Sequence, residues 1–111
     1  MSWLPSAVRA PVRMAILILL LAGNAFAQDL TEKGKKVFQQ AGCVACHKIQ
    51  GQGGPTGPDL THIGAIRTDQ TWYWKFLRDP ASVNPASRMV SFGDLSEEEM
   101  KALIAYLLTL R

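Results

Sequence analysis

Cys43-Val44-Ala45-Cys46-His47 holds both cysteines of the chain and one of its two histidines. The spacing C-x-x-C-H reads as a covalent attachment site for a c-type haem. Two thiols three positions apart each add across one vinyl group of the same haem. The residue that follows, His47, is then carried under the iron, where an imidazole nitrogen ligates it. Two other chemistries use such a pair. A thioredoxin-like dithiol sits in a βαβ pattern, and none surrounds these cysteines. A zinc site needs further ligands, but no second C-x-x-C exists and only His62 remains as a partner.

The 111 residues allow a single domain, and the first of them read as a leader. Arg9 and Arg13 form a positive n-region, Met14 to Ala22 is an unbroken apolar run, and Ala25-Phe26-Ala27 gives an A-x-A cleavage pattern. Residues 1–27 are therefore expected to be a signal peptide, cut after Ala27, with the domain at residues 28–111. The alternative is an uncleaved anchor, for which the run is short of the roughly 20 residues of a spanning helix. Export places the protein in the periplasm, where the thiols become thioethers rather than a disulfide. Without Arg9 and Arg13 the chain keeps 10 Lys and Arg against 9 Asp and Glu, a formal charge of +1. Two ionised haem propionates would turn that slightly acidic, so the basic footprint of a nucleic-acid binder is absent. So short a domain has a small core, and a covalently bonded haem would staple it.

Beyond the leader, Leu30, Val37, Phe38 and Ala41 recur at helical spacing and predict a helix from Asp29 to Ala41, with Asp29 as cap. Gly34 inside it marks close approach of another backbone, and Gly42 supplies a left-handed end before Cys43. Lys33, Lys35, Lys36 and Lys48 read first as a solvated surface and second as an approach for an acidic partner. Gln50 to Gly57 is a glycine-rich loop, followed by a turn through Pro58. The Pro58 carbonyl is placed to accept a bond from the far nitrogen of His47. Thr71 to Asp79 predicts a short amphipathic helix ended by Pro80, with Trp72, Phe76 and Leu77 facing the core or haem and Trp74 more exposed. Ala81 to Asp94 reads as a loop. Met89 lies there in a polar stretch, away from any apolar face, and its soft thioether suits the sixth position of iron. A buried gap-filling methionine is the alternative. Ser96-Glu97-Glu98-Glu99 is a capping box that opens a helix to about Leu110. Met100, Leu103, Ile104, Leu107 and Leu108 form its apolar face.

These features together resemble a class I mono-haem cytochrome c across nearly all of Leu30 to Leu110. The resemblance rests on Gly34 and Phe38, Cys43-x-x-Cys46-His47, Gly57-Pro58-Asp59-Leu60, Met89, and Ala105-Tyr106-Leu107. It implies an all-α fold of three to four helices wrapped around one covalently bound haem. The N- and C-terminal helices would cross at Gly34 and Phe38 against Leu103 and Tyr106. It also implies His47 and Met89 as axial ligands and Pro58 as the partner of His47, with Leu60 among the haem-binding residues. Gly57 to Arg67, with Met89, is similar to cytochrome domains fused to haem–copper oxidase subunit II and to cytochrome subunits of periplasmic oxidation systems, including sulfur oxidation. Arg67 matches an arginine often near a haem propionate, and a surface role is equally open. One position departs from the pattern: the family usually has Pro after the ligand methionine, and here it is Val90. His62 is then the second candidate for the sixth ligand.

The function expected is electron transfer on haem c, without an enzyme's proton-transfer or nucleophile constellation. Redox partner proteins would dock transiently at the haem edge near Cys43 and Cys46. Membrane contact is expected only if the leader is retained. A dedicated subunit of an oxidoreductase complex is the alternative, as is a haem-based ligand sensor or peroxidase-like protein if the sixth position is open.

Overall fold

Two apolar helical stripes, near the two ends of the domain, build the core by crossing. The computed structural model describes residues 25–111, and helix α1 occupies residues 25–40 of these. The leader read from the sequence lies outside the described residues except for its last three. Helix α5, Glu97–Thr109, crosses α1. At the crossing Gly34 packs on the Ala102 carbonyl, and a Cβ on Gly34 would meet the Tyr106 Cβ at 2.7 Å. The Phe38 and Tyr106 rings meet edge-on at 5.7 Å. Lys33 Nζ closes on Glu98 Oε1 at 2.8 Å across the same pair of helices, an exposed contact of small energetic weight. The crossing expected from Gly34 and Phe38 is thus present, with Ala102 as the backbone that approaches Gly34.

Helix α1 departs from expectation at its start. Asp29 lies inside the helix and caps nothing, because Ala25 to Gln28 contain no breaker and the helix continues through them. Leu30, expected on the apolar face, is exposed, so the buried stripe begins at Gly34 and runs through Val37 and Phe38. The C-terminal end follows the sequence. Gly42 adopts φ 81° and turns the chain into a 3-10 segment, Cys43–Ala45.

Strands β1 (Lys48–Ile49) and β2 (Gln52–Gly53) then form a minimal antiparallel hairpin. Its turn places Gln50 and Gly51 at positive φ, as a two-residue hairpin connection requires. Two residues per strand are too few to show alternation, which is why this stretch reads only as loop. Helix α2, Ile63–Ile66, is a single turn. Gly64 fixes it against the end of α5, donating its N–H to the Leu110 carbonyl at 2.7 Å.

Helix α3 spans Gln70–Arg78 and starts one residue earlier than expected. Its cap is Asp69, whose carboxylate accepts from the Thr71 N–H at 2.9 Å. Pro80 ends α3, and it also begins the single-turn helix α4, Pro80–Val83, inside the expected loop. A first-turn proline has no N–H to lose there. The Ser96–Glu99 box forms in both directions, at 3.1 and 2.9 Å. Among the described residues the fold is all-α apart from the short hairpin, with α2 and α4 as single turns added to three longer helices. Phe38, Tyr73, Leu77, Met100, Leu103 and Leu107 form the centre of its core. Among the described residues no helix is long and apolar enough to cross a membrane.

Candidate functional site

The 3-10 turn presents the two cysteines and His47 differently. Cys43 is buried in the core, whereas Cys46 is exposed. His47 is the one buried polar side chain among the described residues, at 8% exposure. Its Nδ1 lies 2.7 Å from the Pro58 carbonyl. A carbonyl only accepts, so Nδ1 carries a proton, and in the neutral ring Nε2 then has the lone pair. The turn at Gly57 closes on the ring face. A Cβ on Gly57 would stand 2.5 Å from Cε1 and 2.7 Å from Nδ1 of His47, closer than any side chain tolerates.

His47 opens onto a cavity of about 400 Å³. Cys46 and His47 form one part of its wall, and Thr56, Gly57, Pro58 and Leu60 continue it through the turn. Ile63 of α2, Trp72, Tyr73, Phe76 and Leu77 of α3, and Leu107 of α5 supply the apolar remainder. Asn84, Ser87, Arg88 and Met89 complete it from the loop after α4. The structure thus gathers Cys46, His47, Pro58, Leu60 and Met89 around one space.

Three residues singled out in the sequence stand elsewhere. Cys43 does not line the cavity; it packs in the core one turn before Cys46. Arg67 is exposed, and its guanidinium lies 4.6 Å over the Trp72 ring. It therefore covers the outer side of a cavity-wall residue through a cation–π contact. His62 is exposed at the start of α2 and does not line the cavity.

Tyr73 is the main wall residue that the sequence reading missed. It is 2% exposed, and its hydroxyl donates to the Arg67 carbonyl at 2.7 Å, tying the α2–α3 link to α3. Burial raises its pKa above the ordinary value near 10. The signal was present: Tyr73 and Leu77 are four apart, on the helical face next to Trp72 and Phe76. Ser87 and Ser91 were missed as well. Ser87 Oγ accepts from the Met89 N–H at 3.2 Å. The Ser91 hydroxyl donates to the Arg78 carbonyl, and the Phe92 N–H donates to the Leu77 carbonyl at 2.8 Å. Hydrogen bonds on both sides of Met89–Val90 thus restrain a loop in which the usual proline is missing.

The site chemistry separates the candidate cofactors. Burial pushes the Cys43 thiol up to about 11, whereas a redox-active dithiol depends on a lowered thiol pKa. No group of three or more His, Cys, Asp and Glu suited to a metal ion occurs among the described residues. A broad, mostly apolar cavity with an oriented imidazole, a thioether and a thiol in its wall fits a haem.

Comparison with known proteins agrees. The sequence profile of the cytochrome c family matches residues 31–111. Cytochrome c oxidase subunit 2 of Alkalihalophilus pseudofirmus is 33% identical over 91 residues, covering 76% of this chain and 27% of that protein. Cytochrome c2 iso-2 of Magnetospirillum molischianum is 30% identical over 88 residues, covering 62% of this chain and 91% of that protein. Cytochrome c2 of Rhodoplanes tepidamans is 27% identical over 100 residues, 72% of this chain and all of that protein. The chain spans about a quarter of the length of the oxidase subunits it matches and nearly all of these two cytochromes c2. The chain belongs to the cytochrome c family.

Proposed function

We propose that the protein is a periplasmic carrier of single electrons. Its haem c is joined through Cys43 and Cys46, with His47 and Met89 as axial ligands. The observation that carries this reading is the shared cavity. His47, with Nδ1 engaged by Pro58 and Nε2 left as a donor, lines the same apolar space as Met89. Haem bound there supplies an iron that accepts and returns one electron at a time. The Pro58 carbonyl holds the His47 ring in one tautomer and raises its basicity. The Met89 thioether is neutral and serves both redox states, and it sets a higher potential than a second imidazole would. The Trp72, Tyr73, Phe76 and Leu107 wall excludes water and disfavours the extra positive charge of the ferric state, which acts in the same direction.

Residues 1–27 serve export in this reading, and membrane contact follows only if they are retained. Donor and acceptor proteins dock briefly at the exposed edge near Cys46. The similarity to oxidase subunits favours one further reading, a cytochrome component of a larger oxidoreductase. Stable co-purification with a second protein would select it over a free carrier.

Visible spectra of the exported holoprotein test the ligation: ferric, ferrous, and ferrous under carbon monoxide. Low-spin haem with a ferric thioether–iron band and no response to carbon monoxide is expected. Met89→Ala should lower the potential and admit the gas. An unchanged spectrum and potential in that variant would remove Met89 from the iron, and rapid gas binding by the parent protein would indicate a sensor or catalyst.

A further inference from the structure

The polypeptide around His47 is tied to the turn around Pro58 on both sides of the histidine. The Gly57 N–H donates to the Cys46 carbonyl at 2.7 Å, and the Leu60 N–H donates to the Lys48 carbonyl at 2.8 Å. The residues before and after the histidine are thus bonded to residues on either side of Pro58. A third tie is made by side chains. The Gln50 N–H donates to Thr61 Oγ1 at 2.8 Å, linking the hairpin turn after His47 to the turn after Pro58. The Thr61 hydroxyl spends its own proton on Asp59 Oδ1 at 2.5 Å, and the Thr61 N–H donates to the same oxygen at 2.8 Å. These two bonds hold the Asp59 carboxyl below the usual carboxylate range, so at neutral pH it is the charged acceptor this arrangement needs.

We propose that Asp59 and Thr61 are positioning residues for the ligand histidine. Together they fix the Pro58 carbonyl at hydrogen-bonding distance from His47 Nδ1 and so set the electron donation of the imidazole. The proposal rests on His47 being the iron ligand and deepens that reading. Neither residue lines the cavity, and both act through the backbone of the Pro58 turn. With its proton donated to Asp59, the Thr61 hydroxyl presents a lone pair to the Gln50 N–H in a fixed orientation. Losing either residue weakens the third tie and leaves the two backbone bonds to hold the turn. A looser Nδ1–H···O bond makes the imidazole a weaker donor, which destabilises the ferric state and raises the potential.

The test compares Thr61→Val, Asp59→Ala and Thr61→Ser holoproteins with the parent. Two readouts report on the histidine: the reduction potential, and the exchange rate of the His47 Nδ1 proton by NMR. Thr61→Val and Asp59→Ala should both raise the potential, and exchange should rise about fivefold. Thr61→Ser keeps the hydroxyl and should behave as the parent. Lower thermal stability with parental potential and exchange would show a structural role only and overturn the proposal. If Thr61→Val does not fold, Asp59→Ala decides alone. The ligation reading fails separately, since the parent protein would then lack iron-shifted His47 resonances, and exchange alone would judge the positioning.

Discussion

Gly57→Ala tests how tightly the His47 ring is held. The added Cβ would stand 2.5 Å from Cε1, 2.7 Å from Nδ1 and 3.0 Å from Nε2. Gly57 has no positive φ, so the backbone accepts alanine and the whole effect is steric. Carbon atoms in good contact lie about 3.5–4 Å apart, so the ring must retreat by roughly 1 Å. That shift stretches the 2.7 Å bond to Pro58 past useful length. An unpaired buried N–H costs about 1–3 kcal/mol, and overpacking costs about 1–3 kcal/mol. The two overlap, because moving the ring relieves the clash, so about 2–4 kcal/mol is expected. For a domain of this size that lowers Tm by about 10–30 °C. Thermal unfolding of the ferric holoprotein, followed in the visible and far ultraviolet, gives the number. A Tm within about 2 °C of the parent, with unchanged His47 resonances, would refute the tight wall between Gly57 and the ring.

The other expectations concern the helix crossing, the haem anchor and the alkaline limit. Gly34→Ala gains about 1 kcal/mol of helix propensity, but drives a methyl group into the Ala102 backbone, which cannot rotate away; net destabilisation by about 2 kcal/mol is expected in chemical denaturation, and a stabilised variant would contradict the crossing. Cys46→Ala should leave one thioether, through Cys43, and one free vinyl group, read as a red-shifted α-band of the denatured pyridine haemochrome; a parental band position would argue against a bond at Cys46. Burial raises the pKa of both Tyr73 and Tyr106, whose native forms therefore keep a proton that the unfolded chain gives up. Their contribution is complete below pH 10 and is lost as pH rises through the higher native values. Stability measured across this range should fall with pH, and Tyr73→Phe should flatten the fall.

The legible parts of the molecule are those whose signal is local. Ser96 and Glu99 announce a capping box because both partners lie within one turn, and the box forms as read. Gly34 reads as a close approach because nothing else explains a glycine inside an apolar helix, although sequence alone does not say which backbone arrives. The single turns α2 and α4 were not legible. Four residues show no periodicity, and α2 owes its place to Gly64 bonding to Leu110, far along the chain. Asp29 shows the opposite error, since a good capping residue has no effect when the residues before it continue the helix. At the site, residue chemistry picked out Cys46, His47, Pro58 and Met89, the family resemblance added Leu60, and all five line the cavity. The polar stretch Asn84–Arg88 was not legible, because its contact with the cavity depends on how α4 folds the loop back.

The two sides of the cavity differ in how their candidate ligands are supported, and this bears on reactivity. His47 stands directly after a 3-10 turn, with backbone bonds at both neighbours, a ring nitrogen engaged and glycine pressed on its face. Moving it requires breaking several of these at once. Met89 lies outside any helix. Its restraint is one bond to Ser87, with the Ser91 and Phe92 contacts following after exposed Val90. A proline after Met89 would limit the unfolded loop through its fixed φ, and valine does not. The restraint here depends on hydrogen bonds that open and close with the loop, the less stable kind of element in a small domain. If His47 and Met89 hold the iron as proposed, exchange of ligands should begin at Met89, with His47 held throughout. The His47 side of the cavity is thus the fixed one, and conformational freedom is concentrated on the Met89 loop.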